Sequence, residues 1–313
     1  MIPSKSFQNA KLYQGDSLTV YPQLPTPTLI VSDGPYGVSG FPGDLPSVAG
    51  LDAWYEPHLA AWTQKASHRT SIAFWNTECG WATVHPVLEK YGWKYKQLII
   101  WDKGLKHIAG NSNTQTLRSF PVVTEVCAIY TKPEEFLISG VNTLRQEWVR
   151  TGLPLSRANL ACGYKNAATR KYLTQDRLYY PPPPEILKKL IDYANLHGDP
   201  AGKPYFAKEE KDYQIQRLRS IFKCPMSITN VWSDGNFAKG ERLKQGAKSL
   251  HYNQKPLKLI TRLVEAMSEP KDVVWEPFGG LSTTAVACNQ LDRECHSIEI
   301  DPRVHEIALK RMN

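Results

Sequence analysis

The stretch from Val273 to Asp301 constrains the fold most: Val-Val-Trp-Glu, then Pro-Phe-Gly-Gly-Leu-Ser-Thr-Thr, a run of small residues, and Cys-His-Ser-Ile-Glu-Ile-Asp. The apolar run Val273 to Trp275 ends in an acid, Glu276, and Gly279-Gly280 let the backbone turn where a Cβ would clash. Ser282, Thr283 and Thr284 stand where side chains can accept the free N–H groups of a following helix. The next apolar run, Ser297 to Ile300, carries Glu299. The pattern predicts strand, loop, helix and strand, a repeating unit of a doubly wound α/β sheet.

Such sheets bind nucleotide-like ligands at the carboxyl ends of their strands, with a glycine turn near the ligand and an acid on the ribose hydroxyls. The spaced glycines and phosphate cradle of a dinucleotide site are missing here, so an uncharged adenosine ligand fits the turn better. A plain tight turn followed by a surface acid is the competing reading of these residues alone.

A second focus lies near the start. Thr28 to Val31 reads as a buried strand that stops at Ser32-Asp33-Gly34-Pro35-Tyr36-Gly37. Gly34 and Pro35 end strand pairing and turn the chain at the sheet's carboxyl edge, so that Asp33 and Tyr36 project where a ligand would sit. Upstream, a short strand from Lys11 to Tyr13 leads to Gly15-Asp16. Downstream come a strand (Thr70 to Trp75), a helix (near Trp81 to Lys90) and two β-rich runs, Gln97 to Trp101 and Val122 to Thr131, which add an antiparallel edge. Leu257, Ile260, Leu263, Val264 and Met267 mark an amphipathic helix leading into the glycine-turn strand. Residues 1–133 and 247–313 therefore read as two halves of one sheet, with a mostly helical region, 134–246, inserted between them.

The insert carries much of the charge. The chain has a formal net charge of +8, and Glu134 to Lys244 holds 18 Lys and Arg against 12 Asp and Glu. That suits a polyanionic partner, or a solvated surface. Pro181 to Pro184 forms a stiff spacer ahead of a helical stretch, Glu185 to Leu196. Before it, Ser156 is placed to cap a short helix containing Ala158 and Ala161, Gly163 permits a turn, and Asn166 is placed to cap a second helix presenting Thr169, Arg170 and Lys171. This resembles a helix-turn-helix, whose second helix enters the major groove; a helical hairpin with exposed basic residues is the alternative.

Other classes are disfavoured. No apolar run approaches the roughly 20 residues that span a bilayer. The first residues lack the apolar core of a signal peptide, so a cytoplasmic location is expected. Six scattered cysteines with no Cys-x-x-Cys pair and no clustered histidines argue against a metal site and a disulfide framework.

In this order, the pieces resemble a DNA amino-methyltransferase of the beta (permuted) arrangement, in which the catalytic motif comes first, the recognition region next and the cofactor motif last. Asp33-Gly34-Pro35-Tyr36 is similar to that family's Asp-Pro-Pro-Tyr, and Glu276-Pro277-Phe278-Gly279-Gly280-Leu281-Ser282-Thr283-Thr284 to its Asp-Pro-Phe-x-Gly-x-Gly-Thr-Thr. Gln254-Lys255-Pro256 matches the segment leading into that loop, and Gly15-Asp16 the acid before the catalytic turn. Gly34 departs from the first proline, Ser282 from the second glycine, and Tyr252 from a usual proline.

The resemblance implies a Rossmann-like class I methyltransferase sheet, circularly permuted, with 134–246 as target-recognition region. It implies methyl transfer from S-adenosylmethionine to the exocyclic amine of a base flipped out of double-stranded DNA. Asp33 and the carbonyl of Gly34 would accept the amine's hydrogens, with Pro35 fixing the turn and Tyr36 stacking on the base. Glu299 would hold the ribose and Asp16 the adenine amine, while Asp33, Glu276, Phe278, Gly280, Ser282 and Thr283 would border the methionine and sugar and Lys255 would lie beside the pocket. Asn166, Thr169, Arg170 and Lys171 would meet DNA. Asp at the head of the motif favours adenine N6, since Ser is commoner there for cytosine N4. The other readings are cytosine N4 methylation, a DNA-binding module without chemistry, and methylation of RNA or a protein amide. The resemblance also leaves room for a homodimer and a matching restriction endonuclease.

Overall fold

A nine-stranded mixed sheet carries both of the loops singled out above. The computed structural model describes residues 3–40, 43–107, 116–132, 144–165, 169–174, 182–207, 222–224, 227–235, 237–245, 248–249 and 254–313. In chain order the strands are Ser4–Ser6 (β1), Ala10–Gln14 (β2), Leu29–Ser32 (β3), Ser71–Asn76 (β4), Lys94–Asp102 (β5), Thr124–Thr131 (β6) and Val231–Trp232 (β7), then a separate hairpin of Lys244–Gln245 (β8) and Lys248–Ser249 (β9), and finally Val273–Glu276 (β10) and Glu294–Glu299 (β11). Their spatial order is β1-β2-β11-β10-β3-β4-β6-β5-β7. From β2 to β4 all neighbours are parallel, whereas β6 runs antiparallel to both β4 and β5. The last two strands of the chain thus sit inside the sheet between β2 and β3.

Two compact units make up the chain: Met1–Lys132 with Lys223–Asn313, and Pro133–Phe222. Helices Ser17–Val20 (α1), Leu51–Lys65 (α2) and Glu78–Lys90 (α3) belong to the first segment of the larger unit, Leu155–Cys162 (α4), Arg170–Leu173 (α5) and Pro184–His197 (α6) to the smaller, and Leu257–Met267 (α7), Thr283–Leu291 (α8) and Pro302–Met312 (α9) to the last segment of the larger.

The central strands are apolar on both faces because both are covered. Val274 points to one core with Leu259, Leu263 and Ala285, and Trp275 to the other with Tyr21, Tyr55 and Trp62. Leu29 and Val31 alternate with Ile30 in the same way. The α2 helix has no counterpart among the elements the sequence pattern predicts. Leu51, Tyr55, Leu59 and Trp62 form its buried stripe even though Pro57 lies inside it.

Winding reverses between β10 and β3: β10 continues through α8 to β11 on one side, and β3 through α2 to β4 on the other. The adjacent carboxyl ends of β10 and β3 therefore open a crevice, where ligands bind in sheets of this kind.

The smaller unit has its own core, including Trp148, Ala158, Leu173, Leu187, Leu190 and Tyr205. Pro184 opens α6 at its first position, where a missing N–H costs nothing. The proline run thus leads straight into a helix at its described end. No helix of the described residues is long and apolar enough to cross a membrane.

Candidate functional site

At the β10/β3 reversal lies a cavity of about 510 Å³. Its wall is drawn from both ends of the chain: Asp16, Asp33, Gly34 and Pro35 from the first part, and Lys255, Glu276, Phe278, Gly280, Thr283 and Glu299 from the last. Trp54, Pro57 and His58 of α2 complete one side. Among the described residues, five acidic residues (Asp16, Asp33, Asp44, Glu276, Glu299) and one lysine, Lys255, contribute to this lining. His58 adds no charge at neutral pH, because burial holds its imidazole down to about 4.

The turn after β3 is held on several sides. The Pro35 carbonyl accepts from the Tyr55 hydroxyl at 3.1 Å and from Asn76 Nδ2 at 3.0 Å. The backbone N–H groups of Tyr36 and Gly37 donate to Asp44 Oδ1 at 2.9 and 2.7 Å. Gly34 is required by its neighbours: a Cβ there would come within 2.6 Å of the Tyr55 hydroxyl and 2.7 Å of the Phe278 ring. The departure from proline at this position is therefore matched to Tyr55 and Phe278, and the turn it makes is tightly packed.

Behind the turn lies a network that sequence reading found only in part. Lys255 is 4% exposed, and its Nζ lies 2.7 Å from Asp33 Oδ1 and 3.2 Å from Glu125 Oε2. Burial opposes the Lys255 ammonium, but Asp33 and Glu125 outweigh it and hold the pKa above its ordinary value. The Tyr36 hydroxyl donates to Asp33 Oδ1 at 2.8 Å and reaches Glu125 Oε2 at 3.2 Å. Its ring is 7% exposed, packed under the Lys255 ammonium at 5.1 Å, and does not line the cavity. Glu125 and its partner Lys103, at 3.0 Å, carried no motif in the sequence. Their only signal was their place at the β5 and β6 ends facing the carboxyl edge.

On the opposite wall, the Glu299 carboxylate accepts from the N–H groups of Gly280 at 2.6 Å and Asp301 at 2.8 Å. Burial pushes its pKa above the usual carboxylate range. Asp16 caps α1 through Leu18 N–H at 2.9 Å while facing the cavity. Gly279 lets the loop pass β11, since a Cβ would stand 2.6 Å from Ser297 Oγ.

Two details of the loop correct the sequence reading. The first N–H groups of α8 are capped by Glu276, which accepts from Thr284 at 2.8 Å and Ala285 at 3.4 Å, and not by Ser282, Thr283 or Thr284. Ser282 takes a left-handed backbone (φ 54°), which explains a glycine in the family's pattern, and its buried hydroxyl pairs with Ser297 Oγ at 3.0 Å instead of entering the cavity.

Burial pushes the Glu276 carboxyl up to about 7. A carboxyl whose folded pKa exceeds its ordinary value of 4.5 binds its proton more tightly in the native state, so stability declines as pH rises from about 4.5 to about 7. Thermal melts should show wild type losing ground to Glu276→Gln across that window; a constant difference between the two proteins would refute the assignment.

In the smaller unit the expected helix-turn-helix is not formed as read. The cap of α4 is Pro154 and not Ser156, and the described part of α5 is Arg170–Leu173. Thr169 is 1% exposed, with its N–H and hydroxyl both on Asn159 Oδ1 at 3.0 and 2.6 Å, so it ties the hairpin together and is not presented outward. Arg170 and Lys171 are exposed. Asn166 and Tyr252 lie outside the described residues.

A family model described as DNA methylase, of the N6/N4 class, matches residues 28–310. The chain belongs to this DNA methylase family. Within it, 84 residues are 34% identical to the Type II methyltransferase M.HinfI of Haemophilus influenzae, covering 26% of this chain and 23% of that protein. Over 106 residues the chain is 29% identical to the Type II methyltransferase M2.LlaDCHI of Lactococcus lactis subsp. cremoris, covering 34% and 38%. The matched segments thus span well under half the length of these methylases. The fold is that of the solved PvuII DNA methyltransferase (cytosine-N4-specific), at a TM-score of 0.56 and 13% identity over 98% of this chain and 87% of that one. It is also that of M1.HpyAVI, at 0.52 and 16% over 97% and 98%.

Proposed function

We propose that this family member transfers a methyl group from S-adenosylmethionine to the exocyclic amine of a base in double-stranded DNA, with adenine N6 preferred over cytosine N4. One observation carries the reading: Asp33 and Glu299, from opposite ends of the chain, line one cavity at the reversal of the sheet. The cofactor fits what the residues offer. The volume lies within the roughly 300–1,000 Å³ of small-molecule sites, and a wall rich in carboxylates suits a ligand bearing a sulfonium and an ammonium.

In this reading Glu299 holds the ribose hydroxyls, Asp16 the adenine amine, and Phe278, Gly280 and Thr283 the remainder, with Glu276 and Ser282 shaping the loop from behind. When bound, S-adenosylmethionine supplies the activated methyl group. The chain's own task is to make a poor nucleophile adequate. The amine's lone pair is delocalised into the base, and hydrogen bonds from its two N–H groups to Asp33 and the Gly34 carbonyl favour a tetrahedral nitrogen aimed at the methyl. Pro35 fixes the turn, and Tyr36 steadies Asp33 through its hydroxyl. The base must leave the duplex, at a cost on the order of a few kcal/mol. Residues 134–246 would read the target, with Arg170 and Lys171 on phosphates or bases. The reading takes the enzyme as cytoplasmic, with a second copy or a cognate restriction endonuclease as candidate partners.

The test is incubation with tritiated cofactor and unmethylated DNA, followed by digestion to nucleosides. Label in N6-methyl-2′-deoxyadenosine is expected. Label in N4-methyl-2′-deoxycytidine would overturn the base alone, and no transfer to DNA, with label taken up instead by RNA or protein in parallel incubations, would overturn the substrate.

A further inference from the structure

Glu125 stands between two lysines. Its Oε1 lies 3.0 Å from Lys103 Nζ and its Oε2 3.2 Å from Lys255 Nζ, and Lys255 Nζ in turn lies 2.7 Å from Asp33 Oδ1. Lys103, Glu125, Lys255 and Asp33 form a chain of alternating charges that sums to zero. Tyr36 closes it, with its hydroxyl between the two acids. Among the described residues both of Asp33's side-chain hydrogen bonds fall on Oδ1. Glu125 itself does not line the cavity, although Asp33 and Lys255 do.

We infer that Glu125 is a positioning residue for the transfer. It holds the Lys255 ammonium in place and, through Lys255 and Tyr36, commits Asp33 Oδ1, so that Oδ2 is the oxygen offered to the substrate amine. This deepens the functional reading above and rests on it, since it takes Asp33 as the acceptor of the amine's hydrogens.

The physical case turns on what a buried ammonium does when one of its two acceptors is lost. Lys255 has three N–H donors and is almost wholly enclosed. With Glu125 neutral, Asp33 would be its only charged partner among the described residues. The ammonium would draw more of the carboxylate's charge to itself, and the four-residue chain would carry a net +1. Asp33 would then be both displaced and a weaker acceptor for the incoming amine. Glu125 is well suited to prevent this: burial opposes its charge, but Lys255 and Lys103 outweigh that and hold its pKa below the usual range.

The test uses the full chain and two readouts, calorimetric affinity for S-adenosylmethionine and single-turnover methyl transfer to DNA. Glu125→Gln, which keeps shape and removes charge, should slow transfer by about tenfold to a hundredfold, the scale of a misplacement of about 1 Å, while cofactor affinity stays within about threefold. Adding Lys103→Met restores neutrality and should recover much of the loss, although neither side chain meets the ligand. Glu125→Asp, which keeps the charge on a shorter arm, should fall between Gln and wild type, and supplies the comparison should the Gln protein fail to fold. A Gln variant as fast as wild type would overturn the inference. So would a double variant no faster than the single, with affinity falling in step with rate, the pattern of a packing defect. A wild type that transfers nothing to any nucleic acid would instead remove the functional reading and this inference together.

Discussion

Asp33→Ala is expected to reduce methyl transfer by about 10²–10³-fold, the loss typical of removing one preorganised hydrogen-bonding group from a developing charge. Cofactor affinity should change by less than about tenfold. The separation follows from geometry: Asp33 closes the cavity on the β3 side, whereas Glu299, proposed to hold the ribose, is bonded to Gly280 and Asp301 on the β11 side and, among the described residues, not to the turn. Folding should survive, because Lys255 keeps Glu125 at 3.2 Å when Asp33 is removed. Asp33→Asn should lie between wild type and Ala. Turnover of the Ala variant within tenfold of wild type would remove Asp33 from the chemistry.

Gly34→Pro, which restores the family's more familiar motif, is expected to damage this protein. The new Cβ would lie 2.6 Å from the Tyr55 hydroxyl and 2.7 Å from Phe278, and neither can retreat freely. Tyr55 is fully buried and donates to the Pro35 carbonyl at 3.1 Å, and Phe278 is packed among Trp54, Tyr55, His58 and Trp62. Overpacking of this kind costs about 1–3 kcal/mol. Because Phe278 lines the cavity, part of that cost should appear as weaker cofactor binding, by about twofold to tenfold. Calorimetry and thermal melts would measure the two parts. Combining Gly34→Pro with Tyr55→Phe, which removes the nearest clashing atom, should recover some of both. If the proline variant binds and melts like wild type, the packing account of Gly34 is wrong.

Much of the site was legible in the sequence, because its parts are local. A buried parallel strand ending in Asp33-Gly34-Pro35-Tyr36 and another ending in Glu276-Pro277-Phe278-Gly279-Gly280 announce themselves through continuous apolar runs broken by turn residues. The order of those parts told which ends of the chain share a sheet. Where reading went astray, a distant residue had taken over a job a local one could do. Glu276 caps α8 from the strand before it, and so Ser282 is turned inward to Ser297. Thr169 has a helix-start sequence around it, yet Asn159 of α4 claims both its hydrogen-bonding groups. The α2 helix escaped notice because Pro57 interrupts its pattern, although Tyr55, His58 and Trp62 on it enclose Phe278.

The amino-acid sequence by itself determined seven of the sheet's nine strands, their two signature turns and the ligand class these turns suit, since backbone sterics and apolar runs act over a few residues; the short edge strands β1 and β7 carry no such run. Only the tertiary structure decided who stands behind Asp33. Glu125 is 92 positions from Asp33 and 130 from Lys255 along the chain, and what joins them is the antiparallel entry of β6 beside β4, which brings the start of one strand to the carboxyl edge of the others. A buried charge must find its opposite within a few ångströms, and which residue answers is set by strand order, a property no short stretch of the chain contains.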